Sequence, residues 1–185
     1  MKGEKRMLVE MICAGFGGQG ILTTGILISY CAFDTRKEFT WFPSYGAEMR
    51  GGTANCTVKI SDEEIASPYA KEIDILLAMN GAAVDKFENR IKEGGYLFVN
   101  ASLVQDRTYR EDIHVIPVDT VELAKKASNP KGANIAMIGA LIKKTGILKY
   151  EECDQAIEKY FASHGKARFT EANRAALKAG YEFVS

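Results

Sequence analysis

An apolar run that passes through a cluster of glycines directly into an apolar helix opens this chain, and few folds accept that order of elements. Met7–Ala14 is apolar apart from Glu10 and reads as a strand; a glycine-rich turn follows, then a helix over about Gly18–Phe33, stopped by the polar run 34–38. A second strand is expected over roughly Glu38–Phe42, with Pro43 ending it. In 54–61, Ala54, Cys56, Val58 and Ile60 alternate with polar residues, the period of a strand with one wet face, antiparallel or at a sheet edge.

Further on, Ile73–Met79 reads as a strand buried on both sides, and Val84, Phe87 and Ile91 give Gly81–Ile91 helical spacing. Strands follow at Tyr96–Val99 and Ile113–Pro117, then helices over about 119–128, 132–145 and 151–163, the last closed by His164-Gly165. A final helix starts at Thr170, with its hydroxyl as the expected N-cap. Strands alternating with helices define an α/β class: a doubly wound, mostly parallel sheet with an antiparallel excursion near residues 53–66 and a helical C-terminal third. With no repeat or linker in its 185 residues, the chain is expected to form a single domain over 1–185.

Charge and cysteine spacing narrow the function. Twenty-four basic and twenty-four acidic residues give no net field to draw the chain onto nucleic acid or an anionic membrane. The longest basic clusters, Lys125-Lys126 and Lys143-Lys144, are short pairs on helix faces. No run approaches the roughly 20 apolar residues that cross a bilayer, and no secretory signal opens the chain, so the expected location is the cytoplasm. Cys13, Cys31, Cys56 and Cys153 are too far apart for a CxxC pair or an iron–sulfur run and read as buried thiols. His114 and His164 lack metal-ligand spacing.

Gly15-Phe-Gly17-Gly18-Gln19-Gly20 matches GxGxxG between a strand and a helix. In a dinucleotide site these glycines would let the backbone approach a pyrophosphate at the helix start, and an acidic residue near the end of the second strand would hold the ribose. Glu38 is the candidate, but it falls at the start of that strand, so the fingerprint is incomplete. A plain tight turn is the alternative. Gln19, with an amide that both donates and accepts, would bind an anion or pin a neighbouring subunit's backbone.

The stretch 43–53 is denser in residues with special roles. Gly46, Gly51 and Gly52 free the backbone, while Ser44, Tyr45, Glu48 and Arg50 put functional side chains on it. Such a loop at the carboxyl end of a strand lies where open α/β sheets place their binding crevice. Phe39, Trp41 and Phe42 beside it read as interface anchors, so the isolated chain is expected to expose an apolar patch or to self-associate.

GFGGQG followed by PSYGAEMRGGTANC resembles the gamma subunit of 2-oxoacid:ferredoxin (acceptor) oxidoreductases, and the likeness runs on through Ile65-Ala-Ser-Pro68, Asn80, Asn134, Gly139 and Asn173 to Gly180-Tyr181. The wording of the second motif is closest to the 2-oxoglutarate or branched-chain (ketoisovalerate) enzymes. The resemblance implies a non-catalytic chain in a heterotetramer that oxidatively decarboxylates a 2-oxoacid to an acyl-CoA and reduces ferredoxin. Thiamine diphosphate, magnesium and the iron–sulfur clusters would then sit on alpha, beta and delta subunits, with no cofactor on this chain. Its own share would be docking, with Gly15, Gly17, Gly18, Gln19 and Gly20 as an anion or CoA loop. Ser44, Tyr45, Gly46, Glu48, Arg50, Gly51 and Gly52 would contact CoA or a partner subunit. A purely structural interface role, and a stand-alone Rossmann-type reductase, are the competing readings.

Overall fold

A computed structural model describes residues 7–45 and 53–185. Its strands are β1 (Leu8–Phe16), β2 (Glu38–Tyr45), β3 (Thr53–Ser61), β4 (Ile73–Ala78), β5 (Ile91–Asn100) and β6 (His114–Val118). The helices are α1 (Ile21–Asp34), α2 (Gly81–Phe87), α3 (Thr120–Lys126), α4 (Ala133–Thr145), α5 (Tyr150–Ser163) and α6 (Thr170–Phe183). One sheet runs in the order β2-β3-β1-β4-β5-β6. Strands β1, β4, β5 and β6 are parallel neighbours, and β3 alone runs against both β1 and β2. The expected mostly parallel sheet with one antiparallel excursion is therefore what forms.

Strand alternation sends alternate residues to two cores. Met11, Cys13, Cys56, Val58, Ile75, Leu77 and Phe98 face a thick layer that also contains buried residues of α1, α4, α5 and α6. Ile12, Ala14, Leu76, Ala78, Leu97 and Val99 face a thinner layer with Ala83, Val84 and Phe87 of α2. The four cysteines are free and buried. Hydrogen bonding to Cys56, then burial, pushes the Cys13 thiol well up, and contact with Cys153 does the same to Cys31. None of the helices among the described residues is long and apolar enough to cross a membrane.

Four local readings need correction. Pro43 does not end β2, which continues to Tyr45. The Met79 N–H donates to the Ala14 carbonyl at 2.9 Å, so even-numbered residues of β1 bond β4 and odd-numbered ones bond β3. Cys56, opposite Cys13, thus spends its amide and carbonyl on β1, and Pro43, opposite Cys56, turns its nitrogen outward from the sheet. An edge strand loses no ladder bond to a proline placed that way. The second face of β3 is not wet either. β3 lies inside the sheet, and Lys59, 6% exposed, reaches Glu10 of β1 at 2.8 Å. Thr170, finally, is the first helical residue of α6 and not its cap, because a 3₁₀ turn over Ala167–Phe169 leads into it. Similarly the helix expected to reach Ile91 ends at Phe87, and Ile91 opens β5 opposite Ile73.

Candidate functional site at the carboxyl edge of the sheet

The first glycine loop leaves β1 at Gly15, and its shape is fixed from within by Gln19. Its Oε1 accepts from the Phe16 N–H at 2.7 Å and from Asn80 Nδ2 at 3.0 Å, while its Nε2 donates to the Met79 carbonyl at 3.2 Å. The amide expected to meet an anion or a neighbouring subunit is instead engaged with this chain's own β4–α2 turn. A side chain at Gly15 would crowd that amide, since a Cβ there would lie 2.6 Å from Gln19 Oε1.

Gly20 ends the loop with φ 73°, a left-handed conformation that suits glycine. Its carbonyl accepts from the Thr24 N–H at 2.8 Å, the Thr24 hydroxyl at 3.0 Å and Asn134 Nδ2 of α4 at 3.2 Å. A Cβ at Gly20 would sit 2.6 Å from that Asn134 nitrogen. Between these two anchors, Gly17 and Gly18 are exposed, with open space where a side chain would stand.

A line of buried amides continues along the edge. Asn80 caps α2 by accepting from the Ala83 N–H at 2.9 Å, and Asn100 at the end of β5 donates to the same Met79 carbonyl at 3.3 Å. Asn100 also accepts from the Ser102 N–H at 3.2 Å; the Ser102 hydroxyl donates to Asp119 and accepts from the Val121 N–H. The ends of β1, β4 and β5 and the start of α3 are thereby tied together. The sequence motifs contain Asn80 and Asn134 but give neither a role. Asn80 ahead of a helix is a recognisable cap, whereas Asn134 acts on a loop 114 residues away, which no local pattern reveals.

The second glycine loop joins β2 to β3 at this same edge. Tyr45 pairs with Ala54, and Ala54 pairs with Gly15, so the three strand ends lie side by side. Ser44, exposed, is in register with Asn55 and, one strand further, Ala14. Gly46, Glu48, Arg50, Gly51 and Gly52 lie outside the described residues. Glu38 stands at the opposite end of β2, level with Ser61 and Leu8. Seven residues of strand put it about 23 Å from the loop end, out of reach of any ligand held by Gly17 and Gly18.

Of the expected interface anchors, Trp41 is partly buried and packs over Gly25 of α1, where a Cβ would come 2.7 Å from its indole nitrogen. Phe39 and Phe42 are each 36% exposed, on opposite faces of β2.

An open, mostly parallel α/β sheet with a glycine loop at the carboxyl end of β1, and with Glu38 at the far end of β2, defines a Rossmann-like scaffold whose second strand does not place that acid beside the loop. The chain belongs to the pyruvate ferredoxin/flavodoxin oxidoreductase family, whose model matches residues 10–183. It is 33% identical to the ketoisovalerate oxidoreductase subunit VorA of Methanothermobacter marburgensis over 95% of its length, which is 36% of that protein. It thus spans about a third of that relative. It is 37% identical to the 2-oxoglutarate synthase subunit KorC of Methanocaldococcus jannaschii over 84% of its length and 85% of the relative's. The crystal structure of the gamma subunit of a keto/oxoacid ferredoxin oxidoreductase from Geobacter sulfurreducens superposes with a TM-score of 0.80 at 30% identity, covering 94% of this chain and 96% of that one.

Proposed function

We propose that this chain, as a single domain over 1–185, is the gamma-type subunit of a cytoplasmic 2-oxoacid:ferredoxin oxidoreductase. It docks on alpha, beta and delta subunits that carry thiamine diphosphate, magnesium and iron–sulfur clusters, and it contributes to the CoA site. The observation that carries this reading is the register Tyr45–Ala54–Gly15, which brings the stems of both glycine loops to one edge in a chain of this family. The exposed backbone at Gly17 and Gly18 has room for a phosphate, the N-terminus of α1 favours an anion there, and Arg50 would supply a two-pronged donor. The reductase alternative is disfavoured by the position of Glu38.

Reconstitution with the partner chains tests the proposal. CoA-dependent reduction of ferredoxin is expected only when this chain is present, and Arg50→Ala is expected to cost about 2–5 kcal/mol in CoA use or in assembly while leaving the fold intact. A raised Michaelis constant for CoA with normal assembly supports the CoA role, and lost assembly supports the interface role. Normal assembly and kinetics would remove Arg50 from the site. Tight NAD binding by the isolated chain would revive the reductase.

A further inference from the structure

We propose that the outer edge of β2 is a self-association surface, at which two copies of this chain pair their β2 strands antiparallel about a two-fold axis through Thr40. β2 is a terminal strand of the sheet, eight residues long, and Glu38 is its one charged residue. Natural edges are usually short, charged or covered, because open backbone groups recruit another strand. Among the described residues this edge is guarded only at Pro43.

The alternation that turns the Pro43 nitrogen outward also turns outward the amides and carbonyls of Phe39 and Trp41. Phe39 to Trp41 is therefore the stretch that offers donors and acceptors ahead of the proline. Antiparallel hydrogen-bonded pairs require outward-facing residues to lie opposite one another. An axis at Thr40 places Phe39 opposite Trp41 of a second copy, and the reverse, so both pairs exchange two bonds. Centring the axis on Phe42 would set Trp41 against Pro43 and lose a donor from each pair.

Side chains agree with this register. Phe33 of α1, 68% exposed, stands edge-on to Phe39 with ring centroids 6.4 Å apart. Pairing would bring this aromatic couple onto the Phe39–Trp41 face of the second copy. On the other face Phe42 packs against Tyr69, 67% exposed, and would stand opposite Glu38 of the second copy, so no like charges meet across the strands.

The proposal concerns the long outer edge of β2 around Phe39–Trp41, whereas the proposed ligand and subunit site lies at the carboxyl ends of β1 and β2, so either can fail without the other. The test uses the full chain, with sedimentation and amide hydrogen exchange followed over a roughly hundredfold dilution. A dimer is expected in which the Phe39 and Trp41 amides are protected at high concentration and exposed on dilution. The Thr40 and Phe42 amides, bonded to β3, should stay protected throughout. Phe39→Lys should weaken the dimer by roughly tenfold without moving the melting temperature of the monomer. A monomer at every concentration, or a dimer whose Phe39 and Trp41 amides exchange freely, would overturn it. Concentration-independent protection of the same amides in a complex holding one copy would assign the edge to another polypeptide, which also overturns it.

Discussion

Gly180→Ala perturbs the close crossing of helices α4 and α6. Helices α4 and α6 meet with no side chain between them, so that a Cβ at Gly180 would overlap the Ala136 carbonyl and lie 2.9 Å from its Cα. The reciprocal contact is at Gly139, where a Cβ would overlap the Leu177 carbonyl and lie 2.7 Å from the Tyr181 nitrogen. Both obstacles are backbone, so no rotamer change can relieve them and the helices must separate. Overpacking of this kind costs about 1–3 kcal/mol, and a backbone obstacle puts the substitution near 3 kcal/mol. For a chain of this length that corresponds to a melting temperature lowered by about 6–12 °C. Gly139→Ala should cost a similar amount, but the double variant should cost clearly less than the two together, because helices already forced apart accommodate the second methyl. Melting followed by circular dichroism on the three variants checks this. An unchanged melting temperature for Gly180→Ala, or full additivity in the double variant, would refute the close-crossing argument.

Lys59 and Glu10 should respond unequally to mutation. Glu10 sits between Lys59 at 2.8 Å and Lys92 at 3.3 Å, and Lys92 has a second partner in Asp74 at 2.9 Å. Glu10→Gln strands a buried ammonium and should destabilise by about 3 kcal/mol in urea unfolding, whereas Lys59→Met leaves Glu10 paired and should change stability by less than about 1 kcal/mol. Equal losses would show that the network is not organised around Glu10. In alkali, burial raises the hydroxyl pKa of Tyr109, Tyr150 and Tyr160. Burial lowers that of Lys92, but bonds to Asp74 and Glu10 outweigh it and leave it raised. All four groups hold protons more tightly folded than unfolded, so their contribution is intact below about pH 10 and is lost as pH rises through the folded values. The buried thiols of Cys13 and Cys31, also pushed up, add a loss that begins near their unfolded value. Melting temperatures should therefore be level up to about pH 8 and fall beyond about pH 9; a level curve to about pH 11 would contradict these shifts.

The strands and helices were legible because their periodicity is local. Ile75–Met79 is apolar throughout since β4 is covered on both faces, and His164-Gly165 closes α5 with Gly165 at φ 66°. What could not be read depends on neighbours in space. Whether Pro43 breaks a strand turns on which way its nitrogen points, and that is set two strands away by β1 and β4. Lys59 looks solvated until Glu10 is placed beside it. Gln19 looks like a free amide until the β4–α2 turn arrives from residue 79 onward. Each of these errors follows from assigning a side chain or backbone group to water when another part of the chain occupies that place.

The reversed strand β3 links the architecture to the site. In a doubly wound sheet of the dinucleotide-binding kind, the second strand lies beside the first, and its carboxyl end presents an acid to the ribose next to the glycine loop. Here β3 is inserted between β1 and β2, which moves β2 one strand further out, about 9–10 Å from β1. The same insertion means that the chain leaving β2 returns antiparallel as β3, with Tyr45 and Thr53 both at the carboxyl edge. One topological change thus takes the end of β2 away from β1, and the sequence between β2 and β3 is the second glycine-rich segment, 46–52, with Glu48 and Arg50. The stems of that segment are held at fixed register to Gly15, and Gly15 is held in turn by Gln19, Met79 and Asn80. A scaffold altered in this way keeps the anion-favouring start of α1 without Glu38 beside it. That suits the role proposed for this chain, in which a preformed edge would meet a phosphate-bearing ligand and neighbouring subunits.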